Sequence, residues 1–531
     1  MLVIHNGNLH TLDPIQPFAT ALAIDHGRVI AVGLDDEILS TFSTSNLYNA
    51  SSRTIIPGLT DAHIHLQDYA LSMQKVDCET TTRLECLQRV SERVHTTPPG
   101  EWILGHGWNQ NNWTEGYGSA TLLDDIAPNN PVFLTHKSLH SSWANSNALH
   151  LAGITRDTVN PAGGWIRHLE NGEPDGILVE SATDILERVI PESSLEQVIK
   201  ALQTSIPRLW QLGLTGVHDF DRSRCFSALQ ILHLKHDLRL RVLKSIPLEN
   251  LPHAVELGLR SGFGDDILRI GSVKLFADGA LGPHTAAMLQ PYDNEPDNQG
   301  ILMLDAEELF EHGCLAAENG ISMAVHAIGD RANHEVLNAY AQLREFERTL
   351  PSHSRTQLRH RIEHVQVLHP DDIIRFSRLN LIASMQPVHA TSDMLMADHC
   401  WGTRSAYAYA WRSQISHNVP LAFGSDAPVE SPNPFLGIHA AVTRRREDGT
   451  PSVQGWYPEQ RLSVDEALHG FTTGAAYAAG MEDHLGKLAP GYLADLLILN
   501  NDPYSCPPDE LLTIKPLATM VGGEWVYSAG I

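Results

Sequence analysis

Residues 55–66 read IIPGLTDAHIHL, a β-branched run that ends in two histidines spaced two apart. Side chains alternate along a strand, so His63 and His65 face the same side and can converge on one ion. Seven further apolar runs follow: LTGVHDF (214–220), LRLRVLKSI (238–246), ILRIGSVKLFAD (267–278), ISMAVHAIG (321–329), LRHRIEHVQ (358–366), LIASMQP (381–387) and VPLAFGSDAP (419–428). Amphipathic stretches separate them, which is the βα alternation of a parallel sheet. Eight such units predict an α/β fold closed as a (β/α)8 TIM barrel, with an open doubly wound sheet as the alternative.

Outward from this series, about 150 residues separate His65 from Leu214, far more than a barrel connection needs. An inserted α+β subdomain over 76–205 is expected there. Its strand-like EWILGHGW (101–108) and PVFLTH (131–136) and its Asn/Trp-rich 107–116 suggest a lid over the barrel mouth. The two ends, 1–57 and 486–531, share a texture of short strands and glycine turns, as in ATALAIDHGRVIAVG (19–33) and GKLAPGYLADLLILN (486–500). Neither is long enough for a comfortable core, so they are expected to pair into one β-sandwich. The barrel then takes 58–75 and 206–485.

The 531 residues carry 37 Lys+Arg against 63 Asp+Glu, a formal net charge of -26, which disfavours nucleic acid and anionic membrane surfaces as partners. No apolar run is long enough to span a bilayer, and the start MLVIHNGNLHTLDP lacks signal-peptide features. A cytoplasmic location is expected, with a small-molecule substrate and a homodimer as the default assembly. The six cysteines are scattered without a C-x-x-C pair, which suits reduced thiols.

Histidine is abundant, at 29 residues. His326 lies in MAVHAIG, His364 in RIEHV and Asp426 at the end of LAFGSD, each where an inward strand residue reaches the mouth. Any one of them alone could be a hydrogen-bonded core residue, and for a single histidine that is the better reading. Their joint placement with His63 and His65 points to a divalent metal, since imidazole and carboxylate are what zinc takes. Lys274 lies inside an apolar strand. There it is either a lysine whose stem is packed and whose head reaches solvent, or an amine carboxylated by CO₂ to bridge two cations.

The chain resembles the amidohydrolase superfamily, in particular the subgroup that contains N-substituted formamide deformylase and many uncharacterised metal-dependent hydrolases. The resemblance spans nearly the whole chain. It rests on PGLTDAHIHL, GHGWNQNNW, GEPDGILVE, VKLFADGALGPHTA, VHAIGDRAN, RIEHVQ, SMQPVH, GSDAPVE and GKLAPGYLADLLIL. It implies a metal-bearing barrel with a sandwich from both termini, ligation of one or two ions by His63, His65, His326, His364 and Asp426, and Lys274 at the superfamily's carboxylated-lysine position. Pro283 stands where a serine is expected, which bears on loop contacts and not on the ligands.

The expected reaction is hydrolysis of a non-peptide carbon–nitrogen bond, an amide or N-substituted formamide, by water whose pKa a metal lowers towards about 7. Asp426 is expected to act as general base and then general acid. Deamination or ester and lactone hydrolysis are alternatives on the same site, and a non-catalytic regulatory protein is a further one. His218, Asp278 and His389 read equally as substrate contacts or as strand-end hydrogen-bonding residues. Trp108, with Asn109 and Trp113, is either a pocket wall or aromatic packing within the insertion.

Overall fold

A computed structural model describes residues 1–530 apart from 138–140, 162, 294 and 352–357. The chain forms two compact units, Met1–Tyr69 with Leu202–Ile531, and Ala70–Ala201. The first holds an eight-stranded parallel sheet, β1 (Leu59–Ile64), β2 (Leu214–Asp219), β3 (Arg241–Pro247), β4 (Leu268–Phe276), β5 (Met323–Ala327), β6 (Arg361–His364), β7 (Ile382–Met385) and β8 (Leu421–Phe423). Each strand pairs with its sequence neighbour in parallel, as helices crossing back over the outside require. The sheet is the barrel expected from the eight runs, and the doubly wound alternative is set aside.

The decisive 55–66 segment is two strands. Thr54–Pro57 belongs to a second sheet and β1 to the barrel. Gly58 joins them where a Cβ would stand 2.4 Å from Thr215 Oγ1, so only glycine lets the chain pass β2 this closely.

The barrel closes just beyond β8. Ile64 bridges Ala427, His65 N donates to Ala427 O at 2.9 Å, and Asp426 N donates to His63 O at 2.7 Å. Asp61 reinforces this seam, because its Oδ1 accepts both His63 N and Ser425 N at 3.0 Å. Gly424 fills the crossing point, where a Cβ would lie 2.4 Å from His63 N and 2.6 Å from Asp61 Oδ1.

The two ends of the chain share a sheet: Glu524–Ser528, Pro516–Val521, Leu496–Leu499, Thr54–Pro57, Asn8–His10 and Phe18–Ala19, in that order. A four-stranded sheet, Arg28–Gly33, Ala21–Asp25, Leu2–His5 and Leu47–Asn49, completes the layer. Ile4, Leu22, Ile24 and Ile55 pack with Leu496, Ile498 and Met520 in one buried cluster, so neither terminal segment has a core without the other.

The second unit has a six-stranded sheet in the order Gly164–His168, Pro174–Glu180, Ser141–Ala144, Val132–His136, Ile103–Trp108 and Val76–Asp77. Its core gathers Val90, Ile103, Leu134, Trp143 and Ile177. Its bounds, Ala70–Ala201, lie a few residues before the expected 76–205 at each end, and the helix Leu195–Gln211 crosses the later one. All six cysteines are free thiols. Among the described residues no helix is long and apolar enough to cross a membrane.

Gly424→Ala is expected to cost about 1–3 kcal/mol or more, because the added methyl meets the His63 backbone and an Asp61 carboxylate that two backbone N–H groups hold in place. A urea titration checks this through a lower midpoint at unchanged slope.

Candidate metal centre

His63 and His65 leave β1 at the seam and turn the same way, as alternation requires. Both aim Nε2 at a single atom, Asp426 Oδ1, at 3.4 Å each. That separation is long for a hydrogen bond. The Nδ1 of His63 lies 2.6 Å from Glu363 Oε2 and donates to it, which leaves Nε2 as a bare lone pair. Burial, followed by the charge of Lys274, lowers the His63 pKa to about 4, so the ring is neutral near pH 7. A lone pair then faces a carboxylate oxygen, two acceptors in want of a cation between them. His65 shows the same want differently. Burial opposes its charge, but Asp221 and Asp426 outweigh burial and raise its pKa to about 10.

Asp426 and His364 reach the site through unusual backbone. Asp426 has φ +61° and His364 φ +72°, left-handed values that few non-glycine residues adopt. Strict alternation along β6 would put Glu363 and His364 on opposite faces, and the left-handed turn brings His364 back to the mouth. There its Nδ1 donates to Gln386 Oε1 at 2.8 Å, freeing Nε2. Burial weighs most against ionising Asp426, yet the surrounding imidazoles, His63 first, hold its carboxyl well below the usual range.

Among the described residues, two groups at this mouth bring ligand atoms within 4.8 Å of one another: His63, His65 and Asp426, and His364, His389 and Asp426. Beside them lie His65, Asp68 and Asp221, and Asp219, Asp221 and Cys225. His326 joins none of these groups. Its Nε2 donates to Gly279 O at 2.9 Å, and its ring centroid lies 4.6 Å from that of His364, which leaves Nδ1 as its remaining acceptor. Lys274 is buried, and its Nζ has no hydrogen-bond partner among the described residues. It sits 4.7 Å from the ring centre of Phe220 and 5.0 Å from that of Phe276, and burial lowers its pKa to about 8.

The remaining expected site residues divide. His389 is at the mouth, its Nε2 4.0 Å from Asp426 Oδ2. Asp278 is a brace: Oδ1 accepts Ile328 N at 3.0 Å, and Oδ2 accepts Ala287 N and Gly329 N at 2.8 Å each. His218 is a brace too, its Nδ1 accepting from Arg361 Nη1 at 2.9 Å. Of the two readings open for Trp108, packing holds and the substrate contact does not: it is fully buried in the core of the second unit with Trp113 and Trp143, and its indole N–H donates to Leu134 O at 2.8 Å.

Several groups around the centre escaped the reading of the sequence. Arg361 and Glu363 form a buried ion pair on β6. Arg361 also donates to Ala62 O at 2.6 Å, and Glu363 holds His63. Asp221 fixes His65 at 3.3 Å, Phe220 stacks on His63 at 4.1 Å, and Lys244 on β3 pairs with Asp219 at 2.9 Å. The signal was present, since Arg361, Glu363 and Lys244 are charges inside apolar runs, as Lys274 is.

The donor set fits a divalent cation: a carboxylate and imidazole nitrogens, those of His63 and His364 held neutral by burial and that of His65 freed when a cation displaces its proton, with their other ring nitrogens fixed by Glu363, Asp221 and Gln386. A sequence model described as amidohydrolase family matches residues 46–527. The chain is 33% identical to the Arabidopsis thaliana protein LONG AFTER FAR-RED 3, over 99% of this chain and 91% of that protein. It is 28% identical to N-substituted formamide deformylase of Arthrobacter pascens, over 99% and 98% respectively. An uncharacterised metal-dependent hydrolase from Pyrococcus furiosus superposes with a TM-score of 0.79 at 27% identity, covering 95% of this chain and 99% of that one.

Glu363→Gln is expected to lower metal affinity about 10- to 100-fold and, by stranding the Arg361 charge, to cost about 3–5 kcal/mol of stability. Competition with a chelator and a urea titration measure the two effects. Asp278→Asn replaces one acceptor oxygen with an NH₂ facing backbone N–H groups. It should lower the unfolding free energy by about 1–3 kcal/mol, with metal content preserved by elemental analysis.

Proposed function

The chain belongs to the amidohydrolase family, and on that premise we propose that it hydrolyses a non-peptide carbon–nitrogen bond of a small molecule, an amide of the N-substituted formamide class. The observation that carries the reading is the pair of Nε2 atoms, one on a neutral imidazole, aimed at Asp426 Oδ1. His63, His65 and Asp426 would hold a divalent cation, zinc being the ion that this nitrogen and oxygen set suits. His364 and His326 would extend the centre to a second ion. Lys274, with its unpartnered Nζ and lowered pKa, would add to CO₂ as a free amine, forming a carbamate and releasing a proton. A bound cation supplies Lewis acidity, which lowers the pKa of water towards about 7.

The chain's own residues supply the rest. Glu363, held by Arg361, keeps His63 in the tautomer that presents Nε2. Asp221 does the same for His65. Asp426, ionised in the resting site, takes a proton from the attacking water and returns it to the departing nitrogen, so one carboxylate serves both steps. Phe220, stacked on His63, is nearly buried and keeps water off that side of the ring. The formamide class takes its support from the Arthrobacter pascens relative's name, and an amide centre from the base and acid that Asp426 can be.

The test combines metal analysis with a panel of N-substituted formamides and simple amides, assayed for released amine. Protein purified without chelator is expected to hold about one or two equivalents of metal, to release amine, and to lose activity on chelation. Asp426→Asn should retain much of its metal and lose turnover, because an amide oxygen coordinates but does not cycle a proton. Lys274→Ala should bind less metal. Protein that takes up no metal after reconstitution, or an Asp426→Asn variant as active as the unmodified chain, overturns the reading.

A further inference from the structure

Resting on that hydrolase reading, we propose that His389 is a second catalytic residue, whose ring N–H donates a hydrogen bond to the oxygen of the scissile carbonyl. His389 lies in the first turn of the helix Pro387–Trp401, directly after β7. Its side chain is 8% exposed, and among the described residues neither ring nitrogen has a hydrogen-bond partner. A buried imidazole left this way is costly unless something that comes and goes completes it.

The other imidazoles at the mouth differ. His63 is fixed by Glu363, His65 by Asp221, His326 by Gly279 and His364 by Gln386. Histidines that hold a metal are oriented in this way, through the nitrogen the metal does not use. His389 has no such anchor among the described residues, so it suits a substrate better than an ion. Gln386, at the same strand end, also has a buried Nε2 without a partner, a second donor available to an oxygen.

The position relative to Asp426 selects the atom. His389 Nε2 stands 4.0 Å from Asp426 Oδ2, beyond a direct hydrogen bond. Two groups at that spacing can each reach one of the two oxygens that a carbonyl carbon carries after water adds. Asp426 faces the oxygen that gave up the proton. His389 faces the former carbonyl oxygen, on which negative charge collects, and a donor there favours the transition state over the ground state.

Steady-state kinetics on N-phenylformamide, elemental analysis and calorimetric binding of formate test this on the full chain. His389→Ala is expected to lower kcat about 100- to 1,000-fold with KM little changed, at unaltered metal content, and His389→Gln to recover part of the loss through its amide N–H. Formate, which presents the same oxygen, should bind His389→Ala at least about tenfold more weakly. A fall in metal content would make His389 a ligand and overturn the proposal. So would unchanged kcat, a rise in KM alone, unchanged formate affinity, or no formate binding by the unmodified chain. If N-phenylformamide is inert while formate binding depends on His389, the formamide reading fails and the role of His389 stands.

Discussion

Closure of the barrel hangs on the Asp61 carboxylate. It takes backbone N–H groups from both β1 and the segment after β8, and burial lifts its pKa to about 7 against those bonds. The seam it makes is also the metal centre. His63 and His65 lie on one side of it and Asp426 on the other, so an error of one residue in register would put Asp426 Oδ1 out of reach of both rings. Gly424 follows from the same constraint, since the two segments approach too closely for any side chain between them. Closing the sheet and assembling the ligands are therefore one packing event.

The centre is expensive to bury, and the surrounding charges offset the cost in pairs. Arg361 answers Glu363, Lys244 answers Asp219, and backbone N–H groups answer Asp278. Such pairs seldom add stability compared with an apolar core, but breaking one strands a charge. What they supply here is direction. Glu363 decides which nitrogen of His63 carries the proton, and Asp221 orients His65. The nitrogens left over face Asp426. Lys274 lies outside this scheme, held by two aromatic faces and no hydrogen bond.

The second unit decides between two readings of an aromatic cluster that the sequence left open. GWNQNNW suits a ligand wall or aromatic packing, and Trp108 and Trp113 prove to be core, their indole N–H groups satisfied by Leu134 O and Thr80 O. A large ring with one polar atom serves either purpose, and only the partners of that atom tell which.

Periodicity and spacing were enough to determine the eight parallel strands, the pairing of the two ends, and the His63–His65 pair, because a strand's alternation and a helix's amphipathic face are local properties. The ends of strands were less legible. Nothing local foretold that IIPGLTDAHIHL would serve two sheets, or that His364 and Asp426 would take left-handed backbone. The partners of the imidazoles were not legible at all. Glu363 meets His63 across 300 positions of sequence and Asp61 meets Ser425 across 364. Which of several buried histidines is anchored for a cation and which is left for a substrate depends on such distant groups, and only the folded chain brings them within hydrogen-bonding distance.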